Sequence, residues 1–348
     1  MSWYAIESVD DAIDTTRSFL FPFELGRWLR LALISIFVGV GGGGVSSAFN
    51  LLNAGSGVPE STPGESAPTP PPTEPTPEML PVEPVVIAAI VVGLLLLGLV
   101  VSLLSQVLRL VFYDALRTDT VRIRGPAKRR IGQALRLFGF KLVLNIVFAI
   151  PLVLIGVAVF AGAAGEFGET AMLVGGLLAV AVAAVTGLAY LIVARATTEF
   201  VTPIMVLTDS GVLAGWQRFW PVLRGNLAQF GIYVVVHFLV LLAISIGQSI
   251  IGLIIFGIVG VVGAVAGLVV VLGVFGGFNA AVASTAGLVA LGVIAALTLA
   301  VVFLLTLPIN IVVLTYVFSY EVSVLGAADE DLRLLPTPEE PDPSAAPE

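Results

Sequence analysis

Cysteine is absent from the 348-residue sequence, histidine occurs once, and charged residues are few. Without cysteine the chain has neither disulfide bonds nor thiolate metal sites. The single histidine, His237, excludes sites built from several imidazoles and makes a Ser-His-Asp triad hard to assemble. Neither a Walker A sequence nor a Gly-x-Ser-x-Gly motif is present. We therefore expect a protein that is not an enzyme, has no cofactor or metal, and binds no nucleic acid.

Charged residues make up 11% of the chain, whereas roughly a quarter of the residues in a soluble domain are charged. Hydrophobic residues make up 58%, and the mean hydropathy is +1.06. A chain this poor in charge cannot cover itself with polar surface, so most of it must face lipid or other helices. A bilayer-spanning helix needs about 20 apolar residues. The predicted fold is all-α, a polytopic transmembrane helical bundle.

The sixteen lysine and arginine residues are grouped. The groups lie at 17–30, 109–141 and 195–224, with Arg333 alone, and the stretches 31–108, 142–194 and 225–332 have none. Each stretch without basic residues fits a helical hairpin, and lysine and arginine collect on the cytoplasmic side of a membrane. The pattern predicts about six spans, as three hairpins, in the cell (cytoplasmic) membrane, with both termini cytoplasmic.

The third of these stretches contains three apolar runs, at about 228–248, 250–277 and 283–320. Either the middle run enters the membrane and returns on the outer side, or it forms a seventh span and the C-terminus lies outside. The many glycines of 250–277 favour entry and return, because such backbone is tolerated where other helices cover it.

An aromatic and basic segment precedes each hairpin. The three segments are RSFLFPFELGRWLRLALI, KRRIGQALRLFGFKLVLNI and WQRFWPVLRGNLAQFGIYVV. In the second, Ile131, Leu135 and Phe138 share one helical face and Arg129 and Arg136 share another, which is typical of a helix lying in the membrane interface. We therefore predict an interfacial amphipathic helix before each hairpin. The alternative is that the three segments are not an internal repeat and are similar only because residues next to a membrane share a similar composition.

Two segments outside the spans differ in composition from the rest of the transmembrane helical domain, residues 1–320. The segment 54–84 has ten prolines and no basic residue, which predicts a disordered extracytoplasmic loop. The tail 321–348 is acidic and contains proline, and we expect it to be disordered as well. The cytoplasmic segment 109–141 holds nine of the sixteen basic residues.

Basic side chains next to a membrane attract anionic lipid by about 1 kcal/mol each. The candidate headgroup contacts are Arg122, Arg124, Lys128, Arg129, Arg130 and Arg136. The expected partner is therefore the lipid bilayer, through its anionic headgroups. The alternative is that these charges act only during insertion, where they set the topology. No protein partner is identified by the sequence.

Polar residues within the apolar runs are candidates for hydrogen bonds between helices; they are Asn145, His237 and Asn310. Two oppositely charged pairs, Arg195 with Glu199 and Arg109 with Asp114, are expected at the inner ends of spans. Because no charged residue falls clearly at mid-span, an ion-coupled transporter is disfavoured. The clustered acids and histidines that a membrane enzyme acting on lipids needs are not expected.

These observations favour a non-enzymatic integral membrane protein that organises the bilayer or supports another membrane protein. The alternative is a transporter or channel for a small solute. A water-lined cavity that holds His237, Asn145 or Asn310 favours the alternative, and a solid core of small side chains favours the first hypothesis.

The segments DDAIDTTRSFLFPFELGRWLRLALI, FYDALRTDTVRIRG and RLFGF, together with the proline-rich loop, carry a family resemblance. The chain resembles an uncharacterised haloarchaeal integral-membrane family. More distantly, it is similar to the membrane domain attached to some glycerophosphodiester phosphodiesterases. The resemblance implies the fold alone, because no segment is long and polar enough to form the catalytic barrel of those enzymes.

Overall fold

The computed structural model describes residues 4–39, 84–162 and 168–335, and over these ranges the protein consists of helices and turns without any strand. The longer elements, in chain order, are α1 (Tyr4–Leu20), α2 (Leu25–Gly39), α3 (Pro84–Thr118), α4 (Arg124–Ala161), α5 (Glu169–Ala196), α6 (Thr202–Thr208), α7 (Val212–Gly225), α8 (Leu227–Gly273), α9 (Phe278–Ala283) and α10 (Thr285–Ala328). A π-helical turn, Thr197–Val201, joins α5 to α6.

Five of the described helices are long and apolar enough to cross a membrane. They are α3, α4, α5 with its extension through α6, α8 and α10. These helices indicate a multi-pass membrane protein. The predicted first span begins with α2, and its continuation beyond Gly39, including the four glycines at 41–44, lies outside the described residues.

The apolar run 250–277 does not form the broken segment that entry into the membrane and return would require. It continues α8, which has 47 residues and ends at Gly273. A glycine costs a helix roughly 1 kcal/mol relative to alanine. Breaking the helix would instead leave backbone groups unpaired among apolar surroundings, at several kcal/mol each. The chain turns only after Gly273, where Gly276 has a φ of +72°, and α10 then runs back along α8.

The amphipathic segments take different forms. Helix α1 is separate and packs along α10 through a stripe that includes Ala5, Ala12 and Phe19. Helix α7 is also separate and immediately precedes α8. The second segment does not form a separate interfacial helix, because α4 continues without interruption from Arg124 to Ala161. That part of the prediction is wrong.

The two ends of the bundle differ in packing. We call the end where α2, α4 and α8 begin and α3, α6 and α10 finish the basic end, and we call the opposite end the apolar end. Fully buried side chains, including Tyr113, Met205 and Phe219, lie at the basic end. At the apolar end most large apolar side chains point outward; Leu177 and Leu253, for example, expose 74% and 73% of their surface.

The predicted tail boundary at residue 320 is wrong. Helix α10 extends to Ala328, and Glu321, Val322 and Leu325 within the supposed tail are buried. The chain then turns back so closely that a Cβ on Gly326 would meet the Arg333 backbone at 3.2 Å. Apolar side chains that alternate with the acidic residues of this segment, such as Val322 and Leu332, are buried and provide the packing. Residues 336–348 and nearly all of the proline-rich loop lie outside the described residues.

Candidate functional site at the basic end

The basic end brings together charged and aromatic side chains from four parts of the chain. Helix α3 contributes Tyr113, the π-helical turn contributes Glu199, α8 contributes His237, and α10 contributes Tyr320 and Glu321. These side chains lie within apolar helices, and all of them are buried. Ionisable residues buried among apolar helices are costly and point to function.

Glu199 is positioned by the π-helical turn. At the end of this turn, the hydroxyl of Thr202, the first residue of α6, donates a hydrogen bond to the carbonyl of Thr197, five residues earlier, at 2.8 Å. One turn before Glu199, the guanidinium of Arg195 lies 3.0 Å from its Oε1, which confirms the predicted Arg195–Glu199 pair. π-Helical turns are rare and often occur at functional sites.

Tyrosines from other helices hold the two buried carboxylates. The Tyr233 hydroxyl donates to Oε2 of Glu199 at 2.9 Å, and the Tyr113 hydroxyl donates to Oε2 of Glu321 at 2.9 Å. Both hydrogen bonds are buried and join segments that are distant in sequence. Each carboxylate therefore keeps a fixed orientation in the bundle.

His237 lies beside these carboxylates and is 3% exposed. Its Nε2 is 4.0 Å from Oε1 of Glu199, and its Nδ1 has no hydrogen-bond partner. The ring stacks on Tyr320 and contacts Tyr233, with centroids 5.8 and 5.1 Å away. Aromatic contacts, rather than hydrogen bonds, therefore set the position of the imidazole between α8 and α10.

Glu199, His237 and Glu321 form what we call the Glu-His-Glu cluster. Each offers one nitrogen or oxygen atom, and these three atoms lie within 4.8 Å of one another. The arrangement can hold a metal ion or share protons among its members. The prediction that acids and the histidine do not cluster is therefore wrong.

A second charged group lies closer to the surface of the basic end. The Arg130 guanidinium bonds to Asp114 at 2.9 Å and to Asp209 at the end of α6. Arg129 bonds to the other carboxylate oxygen of Asp114, also at 2.9 Å. Gln133 adds a hydrogen bond to the carbonyl of Met205 at 3.2 Å. These contacts fix the start of α4 against the turn between α6 and α7.

Arg130 was predicted to contact lipid headgroups, and this prediction is wrong because its side chain is only 2% exposed. The remaining candidates are exposed; they are Arg122, Arg124, Lys128, Arg129 and Arg136. The predicted Arg109–Asp114 pair is also wrong. Asp114 bonds to Arg129 and Arg130 instead, and the Arg109 guanidinium lies over the Phe318 ring, 4.9 Å from its centroid.

Asn145 and Asn310 both take part in hydrogen bonds between helices. The Tyr190 hydroxyl donates to Oδ1 of Asn145 at 2.7 Å, which joins α4 to α5. The Gln248 side chain donates to Oδ1 of Asn310 at 3.3 Å, which joins α8 to α10. Neither asparagine belongs to the Glu-His-Glu cluster.

Sequence reasoning missed Glu321 and placed Glu199 only in an ion pair at the end of a span, although a signal for both was present. Each acid is followed by several more apolar residues, FVTPIMVL after Glu199 and VSVLGAA after Glu321. Helix continues to Thr208 and Ala328 respectively, so both acids lie about two turns inside the helical end. An acidic residue in the last turn of a span is followed by polar sequence, whereas apolar sequence follows both of these acids.

A groove of about 640 Å³ lies where α1 meets the end of α10. Its lining includes Asp11, Asp14, Asp119 and Arg333. None of Asn145, His237 or Asn310 lines it. This groove is therefore not the water-lined cavity that would favour transport.

The helices and the buried charges define a class, a multi-pass all-helical membrane protein with an ionisable cluster at one end. A model of a family of unknown function, DUF7544, matches residues 3–335, so the chain belongs to that family. No curated protein and no solved structure matches the chain. The resemblances to the haloarchaeal family and to the phosphodiesterase-linked domain stay predictions.

Proposed function

We propose that the protein is a non-enzymatic component of the cytoplasmic membrane that binds anionic lipid headgroups at its basic end and thereby organises the surrounding bilayer. The observation that carries this proposal is the exposure of basic side chains at the start of α4, next to outward-facing apolar ones. Arg124 and Lys128 are exposed beside Ile131 and Leu135, which expose 45% and 49% of their surface.

This arrangement suits the boundary between headgroups and acyl chains. Apolar side chains at the first turns of a membrane helix enter the acyl region, while lysine and arginine extend to the headgroups. Five exposed basic residues lie within 122–136. At about 1 kcal/mol each near an anionic surface, their combined attraction is enough to enrich anionic lipid around the protein.

The proposal includes a topology of six spans. The segment that begins with α2 forms the first, and the five long apolar helices form the others. The basic end then faces the cytoplasm, as the bias of lysine and arginine favours. Both termini are cytoplasmic, because an even number of spans returns the chain to its starting side.

The experiment compares the lipids that stay bound to full-length protein in nanodiscs of mixed neutral and anionic lipid. We expect the unmodified protein to retain anionic lipid preferentially, and R122Q/R124Q/K128Q to lose most of that preference. The charge-conserving R122K/R124K/K128R is the matched control and should behave like the unmodified protein. Equal retention by the glutamine variant, with its fold intact, would contradict the proposal.

Transport of a small solute is the second candidate, and the Glu-His-Glu cluster favours it because membrane transporters use buried ionisable residues. Transport needs a water path to the cluster. Such a path would let diethyl pyrocarbonate modify His237, the single histidine, in folded protein. Modification only after unfolding would contradict transport through this site.

A further inference from the structure

We propose that Glu199, His237 and Glu321 form a buried binding site for one divalent first-row transition-metal ion, such as Mn²⁺, Co²⁺ or Zn²⁺. This inference goes beyond the lipid-binding function proposed above and does not depend on it. The site contains two carboxylates and one imidazole, contributed by the π-helical turn, α8 and α10.

The geometry leaves room for one ion among the three side chains. Three atoms within 4.8 Å of one another lie, in the limiting equilateral case, about 2.8 Å or less from a common centre. Zinc binds imidazole nitrogen and carboxylate oxygen at about 2.0–2.2 Å. An inward shift of well under 1 Å by each side chain therefore completes the coordination, which rotation about side-chain bonds can supply.

The imidazole is a buried polar group that lacks a hydrogen bond. His237 has no partner at Nδ1, and the polar neighbour of Nε2 is Oε1 of Glu199 at 4.0 Å, beyond hydrogen-bond distance. Burying an unpaired polar group costs roughly 1–3 kcal/mol. A metal ion bound by the imidazole and the carboxylates would give the ring a polar partner at one of its nitrogens.

The charges leave one carboxylate to be compensated. Glu199 is paired with Arg195, whereas Glu321 forms no ion pair within 4.0 Å among the described residues. Glu321 is nonetheless 4% exposed. A buried carboxylate without a cation is unfavourable, and a bound divalent ion supplies the missing positive charge next to it.

Surrounding contacts orient the proposed ligands as they do in known metal sites, where hydrogen bonds to ligating groups fix their geometry. The hydroxyls of Tyr233 and Tyr113 each donate to one oxygen of a carboxylate at 2.9 Å. The other oxygen of Glu199, Oε1, lies 3.0 Å from Arg195 and 4.0 Å from His237, so a metal ion would share it with Arg195. Tyr320 and Tyr233 hold the ring of His237.

The donor set selects the class of ion. Magnesium and calcium prefer sites made of oxygen alone. Mixed imidazole and carboxylate ligands suit manganese, cobalt, iron and zinc. Soft copper sites use thiolate or thioether sulfur, and none of the three clustered side chains contains sulfur.

Cobalt titration of full-length protein, treated with chelator and purified without a histidine tag, tests the site. Because the chain has one histidine and no cysteine, visible absorption from an imidazole-bound cobalt must involve His237. We expect one equivalent to bind, and His237→Phe and Glu321→Gln to weaken binding at least tenfold.

Glu330→Gln, which alters an exposed acid at the same end, is the matched control and should leave the affinity unchanged. Absence of one-equivalent binding by the unmodified protein would overturn the proposal, as would equal binding by the two site variants.

A second measurement needs no variant and therefore covers the case in which one fails to fold. Protein labelled with [¹⁵N]histidine gives ring signals from His237 alone. One equivalent of paramagnetic Co²⁺ should shift or broaden them beyond detection, and Zn²⁺ should shift them without broadening. Unchanged ring signals at saturating metal would overturn the site. Neither measurement depends on lipid composition, so the metal site and the lipid-binding function can fail separately.

Discussion

The basic end and the apolar end are built from the same helices and are held together differently. At the basic end, ion pairs, tyrosine–carboxylate hydrogen bonds and stacked rings join helices that are distant in sequence. At the apolar end, contact depends on small residues. A Cβ on Gly263 of α8, for example, would lie 2.3 Å from Oγ1 of Thr298 on α10.

This difference follows from the solvent on each side of the helices. In lipid, an apolar side chain gains little by facing another helix instead of an acyl chain, so close packing and hydrogen bonds must bring helices together. Charged groups can be used only where partners surround them. The ionisable residues are therefore concentrated at the basic end, and the difference between the ends predicts which substitutions destabilise the protein.

The largest effect is expected at the buried arginine. Arg130→Ala removes the ion pairs to Asp114 and Asp209 and leaves a cavity, and we expect a loss of about 3–5 kcal/mol in the free energy of unfolding. Reversible unfolding in mixed detergent measures it. Arg129→Ala is the matched control, because its side chain is 63% exposed although it bonds to the same Asp114; it should cost less than about 1 kcal/mol. Similar losses in both variants would show that burial does not distinguish these arginines.

A smaller effect is expected at the apolar end from Gly263→Ala. The added methyl group collides with Thr298, and overpacking of this kind costs about 1–3 kcal/mol. Gly257→Ala on the same helix is the control, because its Cβ would meet no atom within 4 Å. We expect the control to be neutral or slightly stabilising, since alanine favours helix. Equal unfolding free energies for the two variants would refute close packing of α8 and α10 there.

The smallest effect is expected from the hydrogen bonds between apolar helices. Tyr190→Phe removes the bond to Asn145 while keeping the ring. Such bonds contribute on average about 0.6 kcal/mol, and the same unfolding assay measures the loss. Phe148→Leu, which removes the ring beside Tyr190 and leaves the hydroxyl, separates the ring contact from the hydrogen bond. A loss above about 2 kcal/mol for Tyr190→Phe would exceed the largest value of such a bond and contradict this assignment.

Long apolar runs predicted the helices well, because length and hydropathy alone decide whether a segment can cross a bilayer. A hydrogen bond between helices at Asn310 was likewise expected, since a polar side chain in an apolar helix needs a partner. The prediction for the run 250–277 considered only the low helix propensity of its glycines. A break in the helix would also leave backbone hydrogen bonds unmade in lipid, which costs more than the glycines do.

The candidate site was harder to predict. Glu199, His237 and Glu321 lie far apart in sequence, and only the pairing of α8 with α10 and the π-helical turn bring them together. Glu321 was assigned to an acidic tail because the composition was averaged over residues 321–348. That average does not show that the first residues of this segment are apolar and continue α10. Arg130 belongs to a basic group whose exposed members resemble it in sequence. Only the fold brings it to the carboxylates that bind it, Asp114 on α3 and Asp209 just after α6.

The proposed lipid-binding function requires that the basic end of a six-span protein faces the cytoplasm. Because the chain has no cysteine, single cysteines at the exposed positions Asn279 and Glu330 report the two ends separately. An impermeant thiol reagent should label Asn279→Cys in intact cells and Glu330→Cys only after permeabilisation. Labelling of Glu330→Cys in intact cells, with Asn279→Cys protected, would contradict the orientation and the lipid-binding function that depends on it.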